Sequence, residues 1–432
     1  MKQVATILII AASVSCLPAA PLDPNSPVSK DRRETAEHLG NQGTEAIPQL
    51  TKFLADSDPT VRLEAVKSII KIDTEQSLAP LIQATNDNTA EVQIWATAGL
   101  VNFYLPGYVQ TGFRGSLRRA ETSFKSLFTD TDDQVIDAFV VPKPEVIQAL
   151  GRLVRGGASM DSRAAAARAL GILRGKAAVE DLIQAIFSKD TQVMYECLIA
   201  LQKIGDASAG PKVMFLMNDP DKRVRLAAIE TAGLLRNKEA LPQLRDILRR
   251  SGNKDVRRAA LSSIAMVADP ADHDLFRRYL DNKDAGLRAA AAEGLGRLGN
   301  PGDLGLLENA FENEEKNDAR VSIAFSLVML GKVEISELSP LQYLVNTLNS
   351  SARAGLAAPL LTEAARKPIV LRALEKVVFQ GTRDEKIYLA QVFGRSGDKN
   401  TVTVLEKLSH DPDLKVAERA LRAFQSLSAR FP

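Results

Sequence analysis

Apolar residues return three and four positions apart along most of the chain, and nowhere do they alternate convincingly with a period of two. In residues 219–236 (DPDKRVRLAAIETAGLLR), Val224, Ala228, Thr231, Ala232 and Leu235 fall on one helical face. In EALPQLRDILRR, which follows shortly after, Leu241, Leu244, Ile247 and Leu248 make a second stripe. The chain therefore reads as all-α, and its unit is a pair of helices with an acidic-proline turn ahead of the second.

That unit repeats. Copies align on the residue before a recurrent arginine: Val61, Val92, Ser162, Val193, Val224, Val256, Leu287, Ala319, Ala352, Glu385 and Val416. Successive anchors lie 31 to 33 residues apart, except that Val92 and Ser162 are separated by 70, one repeat plus roughly 39 residues. Three residues before several anchors stands an Asp (Asp58, Asp190, Asp221, Asp284, Asp413) that can accept from the free amides opening the second helix. Gly205, Gly299 and Gly331 follow last apolar positions, where a left-handed residue costs least as glycine. Four residues after the anchor the chain carries Ala65, Ala96, Ala166, Cys197, Ala228, Ala260, Ala291 and Ala420, with Ile323, Leu356 and Leu389 as departures. Residues this small let neighbouring helices approach closely. A lone helix pair cannot bury both faces, so each repeat borrows its core from the next.

The pattern of an Asp-Pro turn followed by Val-Arg-x-x-Ala, in a two-helix unit of 31 residues, resembles the HEAT-like repeats first recognised in phycobilisome lyases. The resemblance implies an α-solenoid of about eleven such repeats, with residues 31–39 (DRRETAEHL) as a capping helix. It also implies a polar ladder between repeats made by the arginine and the turn aspartate. Arg62, Arg163, Arg225, Arg257, Arg288, Arg320 and Arg353 match the arginine, whereas Gln93, Met194, Lys386 and Ala417 do not, so the ladder is expected to be interrupted there.

Two segments stand outside the array. Lys2, the apolar run Val4–Ala12 and the small residues before Cys16 read as an export signal over residues 1–15, too short to span a membrane. Cys16 stands where a bacterial lipoprotein carries its acylated cysteine. Cleavage near Ala19 and Ala20 without lipid, or an uncleaved anchor, are the alternatives. Residues 16–29, with Pro18, Pro21, Pro24 and Pro27, read as an extended tether. Repeats then occupy 30–103 and 143–432 around an insertion at 104–142. From Phe103 to Phe139 the chain holds seven of its 22 aromatic residues, with Arg114, Arg118 and Arg119 close to Tyr108 and Phe113. So long an insertion in a regular array is either a lid packed over an irregular joint or a partner-binding element. Phe325 is a second candidate, because it replaces the polar residue expected six places after the anchor. A slip of register in that copy, which matches the motif poorly, is the simpler explanation.

With 55 basic and 53 acidic residues the net charge is only +2, which gives no electrostatic case for nucleic acid. His38, His273 and His410 fall in widely separated repeats, and Cys197 occupies a packed alanine position. The sequence shows no phosphate-binding loop, dinucleotide fingerprint or nucleophile elbow. The expectation is a non-enzymatic scaffold of the bacterial cell envelope without metal or cofactor. It would bind an unidentified protein partner through the solenoid groove, with or without the insertion, and meet the membrane only through an N-terminal lipid. A bilin-lyase-like or chaperone-like enzyme subunit is the alternative, and the export signal weighs against it.

Overall fold

The computed structural model describes residues 23–109 and 135–431. The proposed signal at 1–15, Cys16, and Phe113, Arg114, Arg118 and Arg119 of the insertion lie outside them. Among the described residues all regular structure is helical, as α-helices and short 3-10 turns. The chain divides into two compact units, Met1–Pro80 and Leu81–Pro432.

In the first unit the helix Ser29–Leu39 lies against Pro59–Ile72, the second helix of repeat one. The Arg32 guanidinium holds the Asp56 carboxylate at 2.7 and 2.9 Å, which ties the leading helix to the turn of that repeat. Gly40 sits where a Cβ would come within 2.8 Å of the Ser68 Cβ, so the end of the leading helix needs glycine.

In the second unit the helices alternate between two layers. Second helices pack mainly on second helices: Met160–Ile172, Thr191–Ile204, Lys222–Leu234, Lys254–Val267, Ala285–Leu298 and Asn317–Met329 run in sequence, each against the next. First helices such as Leu241–Arg250 cover them from one side. The second helices start where the turn chemistry says they should. Asp58, Asp190, Asp221, Asp284 and Asp413 each accept from a backbone amide two or three residues on, and Asn253 does the same. Ser159 and Thr382 form reciprocal capping boxes instead. Gly205 and Gly299 end their helices at φ 72° and 70°. Asp73 and Ala268 make the same left-handed turn without being glycine, which places a modest steric cost on those ends.

All eight small residues at anchor plus four are fully buried. The ninth copy differs from its alignment. Its second helix begins only at Ala354, Leu356 is half-buried, and Ala357 is the fully buried small residue. The apparent departure at Leu356 is therefore a slip of register caused by the longer turn before that helix.

A close approach to the backbone of the next repeat lies five residues further along. A Cβ on Gly171 would stand 2.8 Å from the Ala200 Cα, and on Gly233 or Gly296 it would stand 2.6 Å from the Cα of Ser263 or Ser326. Gly394 meets Ala423 in the same way, at 3.1 Å from its Cα. Each glycine is nine residues after its anchor, and each partner is seven after the next. The serine hydroxyls seal two of these contacts by donating to carbonyls of the preceding helix, Ser263 to Ile229 at 2.8 Å and Ser326 to Ala292 at 2.6 Å.

Gly233→Ala is expected to destabilise the protein by about 1–3 kcal/mol, because the methyl meets backbone rather than a movable side chain. Gly305→Ala, whose added methyl would find nothing within 4 Å, should stabilise by roughly 0.5–1 kcal/mol through helix propensity. Denaturant titration of both variants checks this. Equal effects would show that the helix approach at Gly233 is not a constraint.

Candidate interaction surface

The arginine expected to link repeats works mostly inside its own repeat. Arg62 donates to the Asp56 carbonyl at 2.9 Å, Arg225 to the Asp219 carbonyl at 2.6 Å, and Arg288 to the Asn282 carbonyl at 2.7 Å. The turn aspartate's carboxylate meanwhile turns to its own backbone, as Asp219 accepts from the Asp221 amide at 2.8 Å. Arginine and aspartate thus staple one turn together. Gln93 does not interrupt the series. Its amide nitrogen grips the Asp87 carbonyl at 2.6 Å, and its oxygen accepts from the Ala158 amide at 2.8 Å.

The remaining arginines diverge. Arg163 donates to the carbonyl of Val154 at 2.9 Å, and Arg353 to the Asp318 carboxylate at 2.9 Å. Arg320 lies over the rings of Phe311 and Tyr343, at 4.7 and 5.4 Å from their centroids. The Nε of Arg257 is buried without a hydrogen-bond partner. Arg288 adds a bidentate pair with the next repeat, to Glu314 at 2.7 Å through both nitrogens.

A ladder between repeats does exist, on the first helices, where the repeat pattern did not place it. Arg155 meets Asp181 at 2.8 Å, Arg245 holds Asp272 at 2.7 and 2.9 Å, and Arg277 lies 3.3 Å from Asp303. His273 contributes a second contact to Asp303 at 2.7 Å, and Arg372 pairs with Asp398. Asp272 and Asp303 are almost wholly buried. The signal was present as a basic residue in a first helix and an Asp 26 or 27 residues later.

Of the candidate binding residues, Phe325 is fully buried. The Arg297 guanidinium of the preceding repeat lies over its ring, 5.3 Å from the centroid, so a position that faces outward elsewhere is roofed here. It presents no surface to a partner. Tyr108 is also buried, as are Val109 and Ile136. The insertion leaves and returns at anchored points: the Val109 amide donates to the Asn102 side chain at 3.0 Å, and the Ile136 amide to the Ile172 carbonyl at 3.0 Å. The Lys143 amide donates to the Tyr104 hydroxyl at 2.9 Å.

The exposed aromatic chemistry gathers instead at repeats four and five. Phe187 and Phe215 stack almost parallel at 5.0 Å while 62% and 49% exposed. On the second helices of the same two repeats, the Arg223 guanidinium stands 4.5 Å from the centroid of the Tyr195 ring. Half-buried Leu226 and exposed Leu234 continue along that helix. Phe187, Phe215, Tyr195 and Arg223 all lie close in sequence to the turns between first and second helices. Exposed stacked rings and a cation–aromatic pair are the side chains from which interaction hot spots are built.

Burial pushes the Cys197 thiol well above its ordinary range, so it has no nucleophilic character. Among the described residues no group of His, Cys, Asp and Glu could hold a metal ion, and no helix is long and apolar enough to cross a membrane.

The sequence profile of HEAT repeats matches residues 23–101, 147–230, 211–284 and 241–328, more than half of the chain. The chain belongs to the HEAT-repeat family. Its last three repeats lie beyond the matched residues. None of the curated proteins matches it. Among solved structures, this HEAT-repeat chain is similar to the CpcE–CpcF complex of phycocyanin lyase from Nostoc, at 19% identity over 60% of this chain and 90% of that one, with a TM-score of 0.35. It is similar to YibA of Escherichia coli at 16% identity over 68% and 95%, TM-score 0.40. The karyopherin Kap121p follows at 12% identity over 92% of this chain but only 47% of its own length, TM-score 0.41. Likeness of this degree carries no argument about binding or activity.

The ion pairs give the array a defined acid sensitivity. Hydrogen bonds from Arg32, Arg258 and Arg288 hold Asp56, Asp284 and Glu314 below the usual carboxylate range. A carboxylate with a lowered folded pKa stabilises the fold fully above its unfolded pKa, about 4. The contribution is lost as pH falls through the folded value. Stability is therefore expected to decline below about pH 4, and Glu314→Gln should flatten that decline relative to the parent. Thermal midpoints measured from pH 6 to pH 2.5 check it, and parallel curves would contradict it.

Proposed function

We propose that this HEAT-repeat protein is a non-enzymatic scaffold of the bacterial cell envelope that binds a protein partner along the edge of repeats four and five. The observation that carries the reading is the exposed aromatic chemistry of that edge, Phe187 on Phe215 and Arg223 on Tyr195, set on packed helices. Rigid helices hold such groups in place before binding, so little conformational entropy is lost when a partner arrives. A repeat array binds by surface complementarity and needs no catalytic constellation. Export rests on Lys2, Val4–Ala12 and Cys16 in the sequence.

Two experiments test the two halves of the proposal. Phe187→Ser with Phe215→Ser should reduce capture of the partner from crosslinked envelopes at least roughly tenfold, as loss of a hot spot does. The thermal midpoint should hardly change, because both rings are already exposed. Unchanged capture would remove this edge as the binding surface. Fractionation with labelled fatty acid tests the location: the parent should enter the membrane fraction carrying label, and Cys16→Ala should lose it. Recovery of the parent in the cytoplasm would overturn the envelope assignment and reopen the lyase-like or chaperone-like alternative.

A further inference from the structure

The regular construction fails on both sides of repeat nine. From repeat three to repeat eight a second helix passes to the next first helix through a few residues and a 3-10 turn, as from Leu298 through Gly299 and Asn300 to Pro301–Asp303. After Met329 ten residues, 330–339, intervene before the helix Pro340–Thr347, and no 3-10 turn forms. Leu338 in that connection sits at φ 69° with its side chain 82% exposed, a conformation that L residues resist. The second helix of repeat nine, Ala354–Ala364, has no side-chain cap at Arg353 and contains Pro359. Its contacts with the second helices on either side are the least extensive between neighbours from repeat three onward. The glycine that brings helices together at Gly296 and Gly394 is replaced by Val328 in repeat eight.

Arg353 pairs with Asp318 at 2.9 Å and Lys367 donates to the Met329 carbonyl at 2.6 Å across this weak joint; a third bond system crosses it by passing over repeat eight. Arg297, at the end of the repeat-seven helix, donates through Nε and Nη2 to Glu363 of repeat nine at 2.9 Å, and through Nη1 to Glu293 of its own helix at 3.0 Å. Its side chain is 8% exposed and rests on the Phe325 ring, while the Ser322 hydroxyl donates to Glu293 at 2.8 Å. Burial works against the Arg297 charge, but Glu363 and Glu293 more than offset it and hold the group protonated. A buried arginine between two carboxylates is strongly directional, and loss of one partner leaves charge uncompensated.

We infer that repeat nine is a hinge between repeats five to eight and repeats ten and eleven, and that Arg297 with Glu363 is the latch that holds it closed. The connection 330–339 and the proline-containing helix supply the compliance. The latch supplies the single preferred setting that shape packing does not provide at this joint. Opening separates the second helices of repeats eight and nine without melting either of them. The inference is independent of the binding edge at repeats four and five.

Spin labels on the full chain with Cys16→Ser test it, since the buried Cys197 stays unlabelled. Labels at Lys238→Cys and Glu406→Cys span the joint, and labels at Lys238→Cys and Asn309→Cys do not. Glu363→Gln, and separately Arg297→Met, should widen the first distance distribution toward longer distances and leave the second unchanged. Amide exchange within Ala354–Ala364 should stay at the parental rate. An unchanged first distribution in both variants would overturn the latch. Widening accompanied by faster exchange throughout Ala354–Ala364 would overturn the hinge, because repeat nine would then be unfolding locally.

Discussion

Where Gly233 meets Ser263, two second helices come so close that one methyl group would strike backbone, and the same contact recurs at Gly171, Gly296 and Gly394. A unit of two short helices buries too little apolar surface to stand alone, so its stability is borrowed across such contacts. Close approach maximises dispersion between the helices and lets short serine hydroxyls reach carbonyls of the preceding second helix. At the joint between repeats four and five the glycine position holds Gln202 instead. Its amide spans to the Ala227 carbonyl at 3.1 Å and to the Thr231 hydroxyl at 3.0 Å. There a hydrogen-bonded side chain fills the space that elsewhere closes.

Polar groups divide the remaining work by reach. Short ones stay local: the aspartates close turns and cap helices, and the recurrent arginine satisfies a carbonyl of its own turn. That task asks for a donor on a long stem and not for a charge, which is why Gln93 performs it. Longer side chains bond between repeats, and on the first helices Arg245 with Asp272 and Arg277 with Asp303 place a buried carboxylate against a partly solvated guanidinium. Such pairs add modest stability but penalise any shift of one repeat along its neighbour, since a displaced partner would leave the carboxylate buried and unpaired.

The helix pairs, their period, their caps and the buried alanines were legible because each is a local rule repeated many times. The eleven copies let accidental residues at any one place be ignored. What escaped was either a relation between copies or a departure within one. The glycines nine after the anchor recur only in some repeats, and the first-helix ion pairs join residues 26 or 27 apart that no single-repeat alignment sets side by side. Phe325 was misread for a related reason. The polarity of its position predicts exposure in an average repeat, but an arginine reaching from the preceding repeat roofs it. The stacked Phe187 and Phe215 lie in turns, which carry no periodic signal, so sequence alone could not bring them together.

The two irregular joints differ in a way that follows from what replaces the missing contact. Between repeats four and five a neutral hydrogen-bonded side chain holds the helices at a fixed spacing, and the adjoining edge keeps its aromatic groups exposed yet positioned. Beside repeat nine the replacement is ionic and acts over two repeats at once, from Arg297 to Glu363. Apolar contact weakens gradually as surfaces part, whereas a buried bidentate pair has one geometry and loses most of its value once broken. A joint held mainly by such a pair therefore has two distinct settings, closed and open, where a joint held by packed methyl groups has a continuum of small strains. Regular repeats make the array stiff, and the joint beside repeat nine, where packing yields to a charge pair, is where it can change shape in one step.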